Sequence, residues 1–280
     1  MMPNSAVNML KVAVVTPYYQ EPQDWLIQCH ESVANQSYPC THIMVADGYP
    51  NELVARLGVL HIPLPRRHRD YGDTPRAIGS LSAISLGFDA IAYLDADNWY
   101  YPEHIASLVE LHQKTGVAVC SSTRHFYRTD GSLVGLCLNC DGETTVDTSC
   151  LFLTQAAFAI VPMWTLMPNY AHAIDDRVIW HYIKQAGLSR AHTDKPTVAY
   201  RMGNHGFYRS FGEESPPDVT KDGSDILEAL QIWEDNGEPS LRFDLSAKKY
   251  GKDSLNKFQS GAYSLQSLSK QTSSTVQFPP

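Results

Sequence analysis

The residues of this chain best suited to chemistry are acids. Asp95 and Asp97 stand one residue apart in AYLDADNWYYP, at the end of an apolar run. On an extended chain residues i and i+2 point to the same side, so this spacing aims both carboxylates at one point. Like charges so close repel unless a cation lies between them. A hard divalent ion, Mg²⁺ or Mn²⁺, meets that need and keeps positions open for phosphate oxygens. The plainer alternative is a solvated loop whose acids cap the next helix. A second acidic pair, Asp175 and Asp176, opens the helical pattern of HAIDDRVIWHYIKQAG. A carboxylate there can act as a general base or simply complement the positive end of the helix. Asp47 closes another apolar run, THIMVADG.

For these acids to meet, several strand ends must converge. Residues 11–17 and 41–48 are short apolar runs, the first stopped at Thr16-Pro17 and the second at Asp47 and a turn glycine. Residues 25–36 carry apolar positions at helical spacing. A helix is expected from Asp73, with Asp73 as its N-cap and Pro75 near its first turn. It leads into AIAYLDADN; a helix through Ile105, Leu108, Val109 and Leu111 follows, then a strand in VAVCSSTRHFYR. Strands alternating with helices imply right-handed crossovers and a mostly parallel sheet. Ligands of such sheets sit outside the carboxyl ends of the strands, which is where Thr16, Asp47, Asp95 and Asp97 fall.

The second half is less regular. Residues 150–168 carry no charge, but Thr154, Gln155 and Pro162 interrupt them, so they read as a buried strand and buried helix rather than a membrane span. Helices are expected over 175–187 and in SDILEALQIWEDNG, with a strand in PTVAYRM. From about residue 238 serine, lysine and glutamine dominate, the composition of a loosely packed or partly disordered tail.

The formal net charge of −8 argues against a protein that wraps nucleic acid. MMPNSAVNMLK shows no basic segment followed by an apolar core, so no secretory signal is read and a cytoplasmic location is expected. The six cysteines are then expected to be reduced and mostly buried. Cys137 and Cys140 form a lone CLNC without the further ligands of a structural zinc site.

In fixed order, VVTPYYQEPQDWLIQCHESVANQSYP, THIMVADG and AIAYLDADNWYYPEHI resemble the nucleotide-sugar-binding half of a family 2 glycosyltransferase, over roughly residues 11–111. The resemblance implies an α/β GT-A fold and transfer of a sugar from a nucleotide donor, most readily a UDP-sugar, to an acceptor hydroxyl with inversion. It places Thr16, Pro17 and Tyr18 against the nucleoside and Asp47 on the base. A uracil offers an imide N–H that a carboxylate accepts well, and a tyrosine ring can cover the base. Arg76, on the helix before DADN, is where the family often has a basic residue; a guanidinium there could hold the diphosphate. Asp97 matches the direct ligand of Mn²⁺ or Mg²⁺, and Asp95 lies nearer the ribose or sugar. His205, in RMGNHGFYR, would complete the metal site or touch the diphosphate from a loop that glycines allow to close; Arg201 and Arg209 could reach it too. Asp176 matches the base and Asp175 a supporting group, roles that a one-residue slip exchanges. Asp147 would face the acceptor or sugar.

On this reading residues 1–236 form one catalytic domain: a donor half over 1–123, an acceptor-side half over 124–215 and a closing helix over 216–236. Residues 237–280 form the tail. A sugar nucleotidyltransferase shares the architecture but has a glycine-rich loop with a basic residue after the first strand, where this chain has TPYYQEP. A hydrolase with an aspartyl nucleophile places DxD after its first strand, earlier than here. A non-catalytic nucleotide-binding relative would have lost acids that this chain keeps.

Overall fold

The computed structural model describes residues 9–243. Strand β1 (Val12–Tyr18) is buried at every position, as a Val/Ala-rich central strand should be. It is flanked in parallel by β2 (Cys40–Ala46) and β4 (Ala90–Tyr93), and β2 by β3 (Leu60–Pro63). Helices α1 (Gln23–Ala34), α2 (Glu52–Arg56) and α3 (Asp73–Ser85) connect them. Helix α3 lies very close to the sheet, because a Cβ on Gly79 would come within 2.6 Å of Val15 and 3.0 Å of Val45.

The remaining elements are β5 (Trp99–Tyr100), α4 (His104–Thr115), β6 (Val119–Tyr127), β7 (Leu133–Leu136), β8 (Leu151–Thr154), α5 (Met163–Leu166), α6 (Asp175–Gln185), β9 (Arg190–Arg201), α7 (His205–Ser210) and α8 (Ser224–Asp235). The sheet runs β3-β2-β1-β4-β8-β6-β9-β5, with β7 beside β6. Its first four strands are parallel. Beyond them β8 is antiparallel to both neighbours, and β6 and β9 pair in parallel. The expected parallel sheet therefore describes the donor half, and the whole is mixed. One hydrophobic core runs through both halves, with Trp164 and Tyr93 fully buried in it.

Three local expectations change. The helix expected within 150–168 is broken into 3-10 turns and the single-turn α5, because Pro162 and Pro168 interrupt the run. Asp73 is the first residue of α3 rather than its cap; Gly72 is the N-cap, and Asp70 before it accepts from Thr74 N in the first turn at 2.9 Å. His205 is not in an open glycine loop but begins α7, whose N-cap Asn204 accepts from Gly206 N at 2.6 Å.

Of the expected tail, residues 237–243 are pinned to the domain: Pro239 O accepts from Trp233 Nε1 at 2.9 Å and Leu241 O from Arg177 at 3.2 Å. Residues 244–280 lie outside the described residues. All six cysteines are free, and five are buried. No helix among the described residues is long and apolar enough to cross a membrane.

Candidate active site

A cavity of about 670 Å³ opens at the carboxyl ends of β1, β2 and β4. Pro17 and Tyr18 line it from β1, Asp47 from the turn after β2, and Asp95, Ala96 and Asp97 from the turn after β4. Asp175 and Asp176 line it from the head of α6, and Asp147 from the segment before β8. Both acidic pairs therefore face one space.

The DADN segment reaches that space as a turn, not as an extended chain. Asn98 N donates to Asp95 O at 3.0 Å, so the strand ends at Tyr93. Asn98 is buried and fixes the turn, its amide donating to Ser149 Oγ at 3.2 Å and its carbonyl accepting from Arg201 N at 2.9 Å. Arg201 stacks at 4.3 Å over Trp25 and bonds Asp97 O and Gln28, so it braces the turn from behind and does not line the cavity. Arg209 does not line it either.

Thr16 also stays outside. It sits two residues before the end of β1, fully buried, with its hydroxyl 2.9 Å from His42 Nε2. Tyr18 takes its place at the cavity, its ring stacked on His61 and its hydroxyl accepting from Asn51 N at 2.9 Å. Asp47 accepts from His68 N at 3.0 and 3.1 Å and lies 2.6 Å from His68 Nδ1, which ties the 66–72 segment across the cavity mouth. Gly48 makes this closure possible: at φ +79° it passes so near residues 66–67 that a Cβ would sit 2.3 Å from Arg67 N.

The acids separate clearly by surroundings. Arg76 donates to Asp73 at 2.5 Å, Asp95 at 2.9 Å and Asp175 at 3.0 Å. Asp73 also lies 2.6 Å from His172 Nδ1. Burial, and then the nearby Asp73 carboxylate, hold the Asp175 carboxyl well above its ordinary range. Asp147 is paired with the buried Arg124. Asp176 has no ion pair among the described residues; one of its oxygens accepts from Arg177 N at 2.7 Å. Burial and then its neighbour Asp175 raise its pKa, while Arg177 draws it down. Burial, Asp95 and Glu21 push Asp97 up to about 7.

Residues 13–139 match the family described as Glycosyl transferase family 2. The chain is a glycosyltransferase. No curated protein matches the chain. Its fold is similar to that of S. aureus TarS 1-349 in complex with UDP, at a TM-score of 0.57 and 12% identity, covering 93% of this chain and 78% of that one. TarS 1-349 in complex with UDP-GlcNAc gives 0.54 at 11% identity, over 80% of this chain and 65% of that one. The longer TarS structure gives 0.56 at 12% identity, over 92% of this chain but only 46% of its own length.

In this glycosyltransferase the expected metal set of Asp95, Asp97 and His205 does not converge. His205 lies outside the cavity lining, with Nδ1 2.6 Å from Ser215 Oγ, because α7 turns it toward the 211–215 segment. Asp95 is shared between Arg76 and Ser149. No group of three acidic, histidine or cysteine residues that could hold a metal ion forms among the described residues. Magnesium-type sites, however, are often built from one or two carboxylates completed by substrate phosphates. Asp97 fits that simpler role.

Sequence reasoning missed several cavity residues. Arg67 stacks at 4.1 Å over Tyr19, and Glu21 accepts from Tyr19 N at 2.7 Å. Lys221 is exposed at the rim, and its charge acts on Glu21 and Asp97. Arg124 and Arg177 lie beside the acceptor-side acids. Arg67 lies in the basic run RRHRDYGD, a composition that a solvated loop shares, and Lys221 sits in an isolated bridge to Asn204 with no pattern around it.

Proposed function

We propose that this glycosyltransferase moves a sugar from a UDP-sugar to an acceptor hydroxyl, in one displacement that inverts the anomeric carbon. The observation that carries the reading is Asp176, a carboxylate without an ion pair among the described residues that lines the same cavity as Asp47 and the Asp95–Asp97 turn. Tyr19 offers a ring surface for a base beside the buried Tyr18 ring, and Asp47, with His68 bonded to it, offers an edge to read an imide N–H. The ligands named for the TarS structures, UDP and UDP-GlcNAc, support this donor class.

Asp176 accepts the acceptor's hydroxyl proton as that oxygen attacks the anomeric carbon and the bond to UDP breaks. Its raised pKa makes it a stronger base than a solvated carboxylate. Lys221 and Arg67 add positive charge on the donor side, where the diphosphate departs. Asp97 would hold Mg²⁺ or Mn²⁺, which would supply Lewis-acid stabilisation of the leaving diphosphate when bound. The competing nucleotidyltransferase reading gains no support, because no glycine-rich phosphate loop follows β1.

The test is calorimetric titration of UDP, GDP and CMP into the full chain, with Mn²⁺ and with chelator. Tight binding of UDP alone, weakened by chelator, is expected. A preference for GDP would remove the role given to Asp47, and no binding of any nucleotide to folded protein would end the reading.

A further inference from the structure

We infer that Arg76 is a positioning residue, which sets the spacing between the 95–98 turn and the head of α6 and so registers Asp176 against the donor. This rests on the functional reading above and differs from the phosphate-holding role that the sequence suggested.

Arg76 is only 3% exposed. Its Nη1 donates to Asp73 at 2.5 Å and to Asp175 at 3.0 Å, and its Nη2 to Asp95 at 2.9 Å. Its Nε is buried without a partner. The guanidinium lies 4.7 Å from the Trp164 ring, which limits its movement on that side. Three of the five N–H groups are therefore taken by carboxylates and Nε is buried, so at most one Nη2 hydrogen is open to a phosphate, and a donor that took a two-pronged hold on Arg76 would first have to displace a carboxylate.

The same contacts give the group another use. Asp95 lies 19 residues away, in the turn after β4, and Asp175 lies 99 residues away, at the start of α6. Asp175 Oδ1 in turn accepts from Asp176 N at 2.6 Å. One planar fork thus spans from the donor-side turn to the backbone of the residue that acts as base. Asp73, held on its other oxygen by His172, fixes the fork from behind. A lysine keeps the charge but cannot hold three carboxylates in these directions.

The test uses Arg76→Lys in the full chain, with Asp73→Asn as the isosteric second variant. Two quantities are read: the UDP dissociation constant by calorimetry, and acceptor-free turnover of UDP-GlcNAc to UDP and free sugar. For Arg76→Lys, turnover should fall by about 30- to 100-fold, the scale of a misplacement near 1 Å, while the UDP dissociation constant stays within about threefold. Asp73→Asn should show the same split at about three- to tenfold. A UDP affinity that falls in step with turnover would make Arg76 a phosphate ligand and overturn the inference. Unchanged turnover in either variant would overturn it as well. Unmutated protein that neither binds UDP nor turns over UDP-GlcNAc would sink the functional reading first, and the inference with it.

Discussion

On the cavity wall built from β1, β2 and the 66–72 segment, polar side chains are held largely by backbone amides. Asp47 takes His68 N, Tyr18 takes Asn51 N and Glu21 takes Tyr19 N. On the facing wall, built from α3, residues 147–149 and α6, carboxylates are held by guanidinium groups: Asp147 by Arg124, and Asp73 and Asp175 by Arg76, which also reaches across to Asp95 on the donor-side turn. Backbone amides stay put when a neighbouring side chain is changed. A guanidinium that loses its partner is left as an uncompensated buried charge. Changes on the donor wall should therefore act locally on nucleotide binding. Changes on the acceptor wall should spread into stability and alignment. Asp176 is the exception on its own wall, because it lines the cavity without an ion pair among the described residues.

The sharpest test of that exception is Asp176→Asn. The amide keeps size and hydrogen bonding but cannot take a proton. Turnover should fall by about 10²- to 10⁴-fold, the usual share of a general base, with UDP affinity unchanged. Full activity would move the base to another group. Asp147→Ala probes the coupled part of the same wall. It strands Arg124, which stacks at 3.9 Å over Tyr200, and should cost about 3–5 kcal/mol in urea unfolding. A loss under 1 kcal/mol would show that water reaches Arg124 and that the wall is less tightly coupled than its contacts suggest. On the donor side, Asp97→Ala should weaken UDP binding in Mn²⁺ by about tenfold, one pairing's worth at 1.4 kcal/mol per decade, and leave the chelator-treated value where it was. Equal weakening with and without Mn²⁺ would remove the metal role of Asp97.

How much of this could be read from the chain follows the same division. The donor half was legible because its strands are apolar runs that end in an acid or a turn, so Asp47, Asp95 and Asp97 could be placed at strand ends by position alone. The acceptor half was legible only at Asp175 and Asp176, which announce a helix start. Arg76 was visible as a cation, but its three partners lie 3, 19 and 99 residues away, and no local pattern carries contacts of that range. His205 failed for the opposite reason. Flanking glycines suggested a loop, whereas Asn204 supplies a helix cap and turns the imidazole toward Ser215. Thr16 misled because strand-end residues were treated alike, although the cavity begins only at Pro17.

The smallest expected effect concerns pH and the third carboxylate on Arg76. Burial pushes Asp73 up to about 7, while an unfolded aspartate titrates near ~3.9. Between those values the folded chain binds the extra proton. The stability contributed by this group is thus fully present below the unfolded pKa and is lost as pH rises through the folded one. Asp97, at about 7, and Asp147, at about 6, shift in the same direction but are common to the parent protein and an Asp73→Asn variant. The difference between the two proteins therefore reports Asp73 together with the part of the Asp175 shift that the Asp73 carboxylate causes. Urea midpoints at pH 4.5 and pH 7.5 should show the parent losing more stability across the window than the variant, which carries an amide that cannot ionise. Equal losses would mean that Arg76 keeps Asp73 ionised throughout, and that the guanidinium balances all three of its carboxylates as anions.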